Sequence, residues 1–234
     1  MLKRLLLALL LLAGTGTGVA IAQPGPSARD LKPIPVLPKM APPSNLPGMV
    51  VRIDPENVLD LDLSTGGRVR IVMRPDVAPH HVERIKTLTR QGFYDGTVFH
   101  RVIEGFMAQG GDPTGTGQGG SKLPDLDPEF NDLPHVRGAV AMARAQAENS
   151  ANSQFYIVLQ PVLKLDRNYT VWGRVISGMQ YVDAIEKGEP PANPSRIIKA
   201  SIEADKVPPP AGVVAATPIP PPALPVTAPP PPPQ

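Results

Sequence analysis

Apolar and polar residues alternate along several short stretches of this 234-residue chain. The first such stretch runs from Asn57 to Leu63, and the pattern resumes at Val69 and continues to Met73. A period of two is typical of a half-buried strand. The residues between the stretches, Ser64 to Gly67, favour a turn, so this part of the chain predicts a β-hairpin.

Helical periodicity occurs at two separate places. Pro79 suits the first turn of a helix that ends at Gly92. Three apolar residues at helical spacing are expected on its inner face: Val82, Ile85 and Leu88. Ser177 and Gln180 resemble a capping box, which predicts a second, shorter helix.

Further short stretches predict strands between turn signals: Ala139–Met142, Phe155–Leu159, Thr170–Ile176 and Ile197–Ile202. Alternation from Val98 to Val102 predicts another strand, with Phe99 and Arg101 on one face and His100 on the other. Many short strands with two helices favour a mainly β fold, a closed antiparallel barrel capped by the helices. A two-layer α+β sandwich is the alternative architecture.

Proline divides the chain into a folded part and two arms. Of 32 prolines, one cluster lies between Pro24 and Pro47 and a denser one runs from Pro208 to Pro233. Such composition cannot bury a core and prefers extended polyproline II. We therefore expect a Pro-rich linker over residues 23–47, a folded domain over residues 48–206 and a disordered tail over residues 207–234.

The first 22 residues have the layout of a secretory signal peptide. Lys3 and Arg4 form a charged start, Leu5 to Ala13 an apolar run, and Ala20 to Ala22 a small-residue cleavage motif. This arrangement predicts export, in a bacterium to the periplasm, with no stable membrane insertion once the signal is cleaved. An uncleaved N-terminal membrane anchor is the alternative.

The charge balance excludes some classes of partner. The formal net charge of +2 depends on the two basic residues of the signal, and the remainder has 21 basic and 21 acidic residues. No electrostatic attraction to nucleic acid or anionic lipid is expected. The chain has no cysteine, which excludes disulfides and a lipid-modified N-terminal cysteine.

Two motifs suggest a cofactor or a metal, but their context argues against both. Residues 115–120 match G-x-G-x-x-G, yet a dinucleotide fingerprint needs a strand before it and a helix after it, and Pro124 blocks an early helix. His80 and His81 stand near Glu83, but adjacent helical residues point about 100° apart. We predict a glycine-rich loop, a solvated helix start, no cofactor and no metal.

The stretch from Phe99 to Asp112 combines an arginine, large apolar residues and an amide, without a nucleophile or a paired carboxylate. If Arg101 enters an apolar concavity it needs a role, because an unpaired desolvated guanidinium is costly. One possibility is a structural ion pair with Glu104 or Asp112. The other is a reaction whose barrier is conformational.

Rotation about an X–Pro bond is a reaction of that kind. Its barrier of about 18–20 kcal/mol arises because twisting breaks amide resonance. The twisted state localises a lone pair on the proline nitrogen, so a guanidinium N–H directed there stabilises the twisted form more than either planar form. An apolar pocket would hold the proline ring while the acyl side turns.

Two sequence motifs resemble those of a known protein family that catalyses this reaction. YDGTVFHRVIEGFMAQGGDPTGTGQGG, Tyr94 to Gly120, and NSQFYIVL, Asn152 to Leu159, resemble the cyclophilin peptidyl-prolyl cis-trans isomerases. The similarity runs from about Leu59 to Ile202 and looks like the bacterial, exported branch. It implies an eight-stranded antiparallel barrel with two helices, a mostly monomeric protein, and X–Pro-containing polypeptides as folding clients.

The resemblance also implies the site. Arg101 matches the family's catalytic arginine. Eight residues match positions that bind the substrate: Phe106, Met107, Gln109, Ala143, Gln154, Tyr156, Leu165 and Tyr169.

Lys164 stands where many eukaryotic members have the tryptophan that contacts cyclosporin, so we predict weak inhibition by that drug. A non-catalytic proline-binding or scaffolding module is the alternative function. Retention of Arg101 beside the apolar pocket residues favours the enzyme.

Overall fold

The computed structural model describes residues 53–215. The predicted signal peptide, the predicted linker and the last 19 residues, 216–234, lie outside the described residues. The described part contains eight strands: β1 Val58–Leu63, β2 Arg68–Met73, β3 Arg101–Ile103, β4 Met107–Gly110, β5 Ala139–Met142, β6 Phe155–Val158, β7 Val171–Ser177 and β8 Ile197–Ile202. Two α-helices accompany them: α1 Pro79–Arg90 and α2 Met179–Asp183.

All eight strands belong to one antiparallel sheet in the order β3-β4-β6-β5-β7-β2-β1-β8. The edge strands β3 and β8 do not pair as strands, so the sheet is a curled half-barrel and not the closed barrel that we predicted. Residues 97–99, just before β3, are joined to residues 195–197, at the start of β8, by individual backbone hydrogen bonds. The Ile197 N–H donates to the Thr97 carbonyl and the Phe99 N–H to the Ser195 carbonyl, both at 2.9 Å. A single curled sheet also rules out the two-layer sandwich.

The concave side of the sheet and helix α1 enclose the main apolar core. The predicted inner face of α1 is confirmed, because Val82, Ile85 and Leu88 are buried in this core. The largest fully buried side chains include Trp172 and Phe155. Burying a side chain of this size contributes roughly 1.5–3 kcal/mol, so the core fixes the sheet whose outer face bears the site. Within residues 53–215, neither helix is long and apolar enough to cross a membrane.

Strand β1 is buried on both faces, and not on one as its alternating pattern predicted. The reason is an ion-pair cluster that covers its polar residues. The Arg68 guanidinium donates to both carboxylate oxygens of Asp62, at 2.7 and 2.8 Å, and to Asp60 at 3.0 Å. Burial raises the pKa of Asp60, and the nearby Arg68 and Arg70 act in the opposite direction.

The ordered fold continues past the predicted boundary at Lys206. Arg68 also donates to the Val207 carbonyl at 3.1 Å, and its backbone N–H donates to the Val214 carbonyl at 3.0 Å. The Val214 N–H in turn donates to the Gly66 carbonyl at 2.9 Å. Val207 and Val214 therefore contact Arg68 at the start of β2.

The capping-box prediction for α2 is wrong. Ser177 is still part of β7, and the N-cap is Gly178, with φ of 86° and no side-chain cap. A Cβ at this position would lie 2.3 Å from the Arg68 carbonyl oxygen. The sharp passage from strand to helix therefore depends on the backbone freedom of glycine.

The predicted strand around Phe99 also differs. Strand β3 begins only at Arg101, so strict alternation does not extend back to Phe99. Phe99 is fully buried in the main core together with Val102, whereas Arg101 lines a groove on the other side of the sheet. Phe99 and Arg101 thus face opposite ways.

Candidate active site

A small cavity of about 130 Å³ lies on the outer side of strands β3, β4 and β6. It holds eight of the nine residues that the resemblance implies, together with one further arginine. Its lining residues are Arg101, Phe106, Met107, Gln109, Ala143, Arg144, Tyr156, Leu165 and Tyr169. We call this cavity the apolar cup.

Strand register brings the polar residues of the cup into one row. Arg101 on β3 stands opposite Gln109 on β4, and Gln109 stands opposite Tyr156 on β6. Side chains directly opposite each other on one face of a sheet lie about 5 Å apart at Cβ. Cross-strand pairing therefore places a cation, an amide and an aromatic ring side by side.

Arg101 stands at the rim of the cup, and its side chain is 42% exposed. Its Nε donates to Glu189 Oε2 at 2.6 Å. The ion pair that the sequence suggested with Glu104 or Asp112 is therefore wrong, since the partner comes from a loop 88 residues away. No other hydrogen bond of the guanidinium is found among the described residues.

Three rings pack together at the wall of the cup, and two of them, Tyr156 and Tyr169, line it. The Tyr156 ring lies 5.9 Å from Tyr169, edge to face, and 6.1 Å from His135, nearly parallel. Burial raises the pKa of Tyr156, which keeps its hydroxyl neutral. That hydroxyl is buried and has no hydrogen-bond partner within residues 53–215.

His135 fixes the loop that carries Leu165 and Tyr169. Its backbone N–H donates to Asp166 Oδ1, and its ring Nδ1 lies 2.8 Å from the same oxygen. The backbone bond is the main reason that the pKa of Asp166 is lowered. The contact spans 31 residues, so no local pattern in the sequence indicates it.

Arg144 is a cup residue that the predicted site does not include. Its guanidinium lies 4.8 Å from the centre of the Tyr169 ring, within cation–π range. It also donates to the carbonyls of Ala145, Gln146 and Asn168. Its position directly after Ala143 was the available sequence signal.

Gln154 lies in an adjoining cavity of about 470 Å³ that the glycine-rich loop borders. Its amide nitrogen donates to the carbonyls of Gly117 and Gly119 at 3.0 and 2.8 Å. Its amide oxygen accepts from Gln109 at 2.9 Å. Gln154 therefore links the loop to the row of polar residues at the cup.

Asp112 organises the glycine-rich loop. Its carboxylate accepts from the backbone N–H groups of Thr114, Gly117 and Gly119 and from the Thr114 hydroxyl. Burial by itself raises the pKa of Asp112, but these hydrogen bonds outweigh it and lower the pKa to about 2. Residues 115–120 form a loop around a carboxylate, with no strand before them and no helix after them.

The two adjacent histidines contact Glu129 and not Glu83. His80 Nδ1 lies 2.8 Å from Glu129 Oε1 and His81 Nδ1 lies 2.6 Å from Oε2. The same carboxylate accepts both backbone N–H groups, so it caps the start of α1. In the part of the chain that the structure describes, no group of three or more acidic or histidine side chains could hold a metal ion.

The sequence matches the family model of cyclophilin-type peptidyl-prolyl cis-trans isomerases over residues 58–202. The chain therefore belongs to the cyclophilin family, as the sequence motifs predicted. It is an isomerase that acts on proline-containing polypeptides.

Individual relatives of known sequence are named as isomerases of the same family. A probable peptidyl-prolyl cis-trans isomerase of Brucella suis is 50% identical over 168 residues, which is 65% of this chain and 85% of the relative. Peptidyl-prolyl cis-trans isomerase B of Bacillus subtilis is 39% identical over 128 residues, 54% of this chain and 89% of the relative.

Solved structures support the same fold. A cyclophilin from Hirschia baltica superposes with a TM-score of 0.61 and 30% identity over 67% of this chain and 77% of the other. A cyclophilin-type isomerase of Cryptosporidium parvum was crystallised in the presence of the dipeptide Ala-Pro. It gives a TM-score of 0.58 and 28% identity, and the match covers 62% of this chain and 98% of the other.

Proposed function

We propose that Arg101 is the catalytic residue and that the apolar cup binds the proline ring of the substrate. The observation that carries this proposal is the row of Arg101, Gln109 and Tyr156 across three paired strands. The row puts a cation at the rim of a cavity to which six apolar or aromatic side chains contribute. The volume of about 130 Å³ suits a five-membered ring and not a large side chain.

Catalysis requires no proton transfer in this arrangement. The Nε of Arg101 is engaged by Glu189, and the two Nη groups have no partner among the described residues. An Nη–H that donates to the proline nitrogen binds the twisted amide more strongly than either planar form, because only the twisted form has a localised lone pair. Gln109 would hold the backbone of the substrate.

The test compares the protein with its Arg101→Ala variant in an X–Pro peptide isomerisation assay. Loss of one preorganised donor is expected to lower kcat/KM on the order of 100-fold. Arg74→Ala is a matched control, since Arg74 is an exposed arginine in an ion pair with Asp76 away from the cup. If Arg101→Ala retains full activity, the arginine mechanism is wrong.

Binding of the same peptide separates catalysis from recognition. We expect Arg101→Ala to bind a proline peptide within a few-fold of the unmodified protein, because the cup remains intact. A protein that binds the peptide but does not accelerate isomerisation would be a proline-recognition module.

The proposed clients are exported proteins in the periplasm. The support is the signal-peptide layout of residues 1–22, in which a charged start, an apolar run and a cleavage motif follow one another. Fractionation of cells and N-terminal sequencing test this proposal. A soluble periplasmic product beginning at Gln23 is expected, whereas a membrane-bound product that retains Met1 would indicate an anchor.

We further propose a monomer that cyclosporin inhibits only weakly. Lys164 is exposed on the loop beside the cup but does not line it, so no tryptophan surface is available there for the drug. Light scattering during gel filtration is expected to give the mass of one chain. Nanomolar inhibition in the isomerisation assay would contradict the prediction about the drug.

A further inference from the structure

Glu189 is held beside Arg101 by the backbone of the sheet edge. Val102 of the edge strand β3 exchanges two backbone hydrogen bonds with Gly188, at 2.8 and 2.9 Å, in an antiparallel bridge. In antiparallel pairing, the residue after Gly188 stands opposite the residue before Val102. Glu189 therefore extends the row of Arg101, Gln109 and Tyr156 by one position.

The loop is shaped so that this register is kept. Gly188 has φ of 147°, and a Cβ at this position would lie 2.6 Å from the Pro191 Cα. Only glycine allows the chain to turn there and still pair with Val102. The bridge therefore holds the backbone of Glu189 next to Arg101, within reach of its guanidinium.

The ion pair between Glu189 and Arg101 adds little to the stability of the fold. The two side chains are 49% and 42% exposed, and pairs in that range contribute little because solvent screens them. The main effect of this ion pair is to orient the Arg101 guanidinium. An arginine side chain has many rotamers, and a carboxylate on Nε selects those that keep the Nε–H edge of the planar guanidinium towards Glu189, which leaves the Nη–H groups of the far edge available.

We infer that Glu189 is a positioning residue for the isomerase reaction, which holds the Arg101 guanidinium over the apolar cup before substrate arrives. The inference rests on the proposed catalytic role of Arg101. A fixed guanidinium need not be reorganised as the amide twists, and this preorganisation raises kcat more than it strengthens ground-state binding.

Kinetics of single and double variants test the inference on the full-length chain. Glu189→Ala is expected to lower kcat about tenfold and to leave KM within twofold. Glu189→Gln keeps an oxygen that can accept from Nε, so it should recover most of the loss. Glu186→Ala, a change of the same charge three residues earlier, is expected to have no effect.

The double variant distinguishes positioning from a general structural effect. In the Arg101→Ala background, Glu189→Ala should cause no further fall in kcat, because there is no guanidinium left to orient. If the two losses multiply, or if Glu189→Ala alone leaves kcat unchanged while Arg101→Ala abolishes it, the inference is overturned and the proposed mechanism stands. If Arg101→Ala is itself fully active, the mechanism fails.

A direct readout is the Nε–H of Arg101 in NMR spectra. It should exchange slowly with solvent in the unmodified protein, quickly in Glu189→Ala, and at an intermediate rate in Glu189→Gln. An exchange rate that Glu189→Ala does not change would show that the carboxylate does not hold the guanidinium and would overturn the inference.

Discussion

Asp112 offers the sharpest test of how the glycine-rich loop beside the apolar cup is held in place. This side chain is 1% exposed and accepts three backbone N–H groups and a hydroxyl from the loop that follows it. Asp112→Asn preserves the size of the side chain. It places an amide NH₂ where one of the two oxygens stood, and that NH₂ faces N–H donors whichever way the amide is turned.

The magnitude follows from the pKa. The pKa of Asp112 is about 2, below its usual 3.8, and each pKa unit corresponds to about 1.4 kcal/mol. The ionised carboxylate therefore contributes roughly 2 kcal/mol of stability, present above pH 4 and lost as the pH falls from 4 to 2. Asp112→Asn should cost about 2–4 kcal/mol at pH 7, because it also leaves buried donors unpaired.

The assay is urea unfolding of both proteins between pH 2 and pH 7. The difference in unfolding free energy between them should be largest above pH 4 and shrink towards pH 2, where the carboxylate of the unmodified protein is protonated. Other carboxylates affect both proteins alike and cancel in this difference. A difference below about 0.5 kcal/mol at pH 7, or one that does not change with pH, would refute the reasoning.

Three further changes test other parts of the structure by denaturant unfolding. Tyr156→Phe removes a buried hydroxyl that lacks a partner among the described residues, so stability should rise by about 1 kcal/mol, and a fall would contradict this. A chain that ends at Lys206 loses the hydrogen bonds of residues 207–215 and should be about 1–3 kcal/mol less stable than one that ends after them; equal stability would contradict the packing described above. Gly178→Ala should cost about 2–3 kcal/mol, because φ is 86° and the new Cβ would meet the Arg68 carbonyl; a neutral effect would show that the turn can relax.

The elements that the sequence predicted correctly have one face in the core, and this burial produces a regular spacing of apolar residues within a short stretch of sequence. Helix α1 has Val82, Ile85 and Leu88 three residues apart, and all of them enter the core. The hairpin of β1 and β2 has period-two apolar residues on either side of a glycine turn. In both cases the preference of each apolar residue for the core agrees with the local geometry, so no distant contact is needed to predict the element.

The features that were missed depend on partners far along the chain. Asp60 and Asp62 follow a half-buried pattern, yet Arg68 on the paired strand β2 neutralises them, and Arg68 is itself held by the Val207 carbonyl, 139 residues further along the chain. Glu189 meets Arg101 across 88 residues. A pattern of residues can mark a polar position, but it does not say which distant group will neutralise it.

The site itself depends on register more than on any single residue. Arg101, Gln109 and Tyr156 come from three strands and share one row only because each pairs with the next in one particular alignment, and the bridge between Val102 and Gly188 brings Glu189 beside Arg101. A slip of one residue in any pair would turn that side chain to the opposite face of the sheet. Val102 follows Arg101 and Ala108 precedes Gln109, and both are buried in the core. A slip would move these apolar side chains out of the core, so their burial opposes it. The core of the half-barrel therefore does more than stabilise the fold, because it sets the alignment that brings the guanidinium, its carboxylate and the cup together.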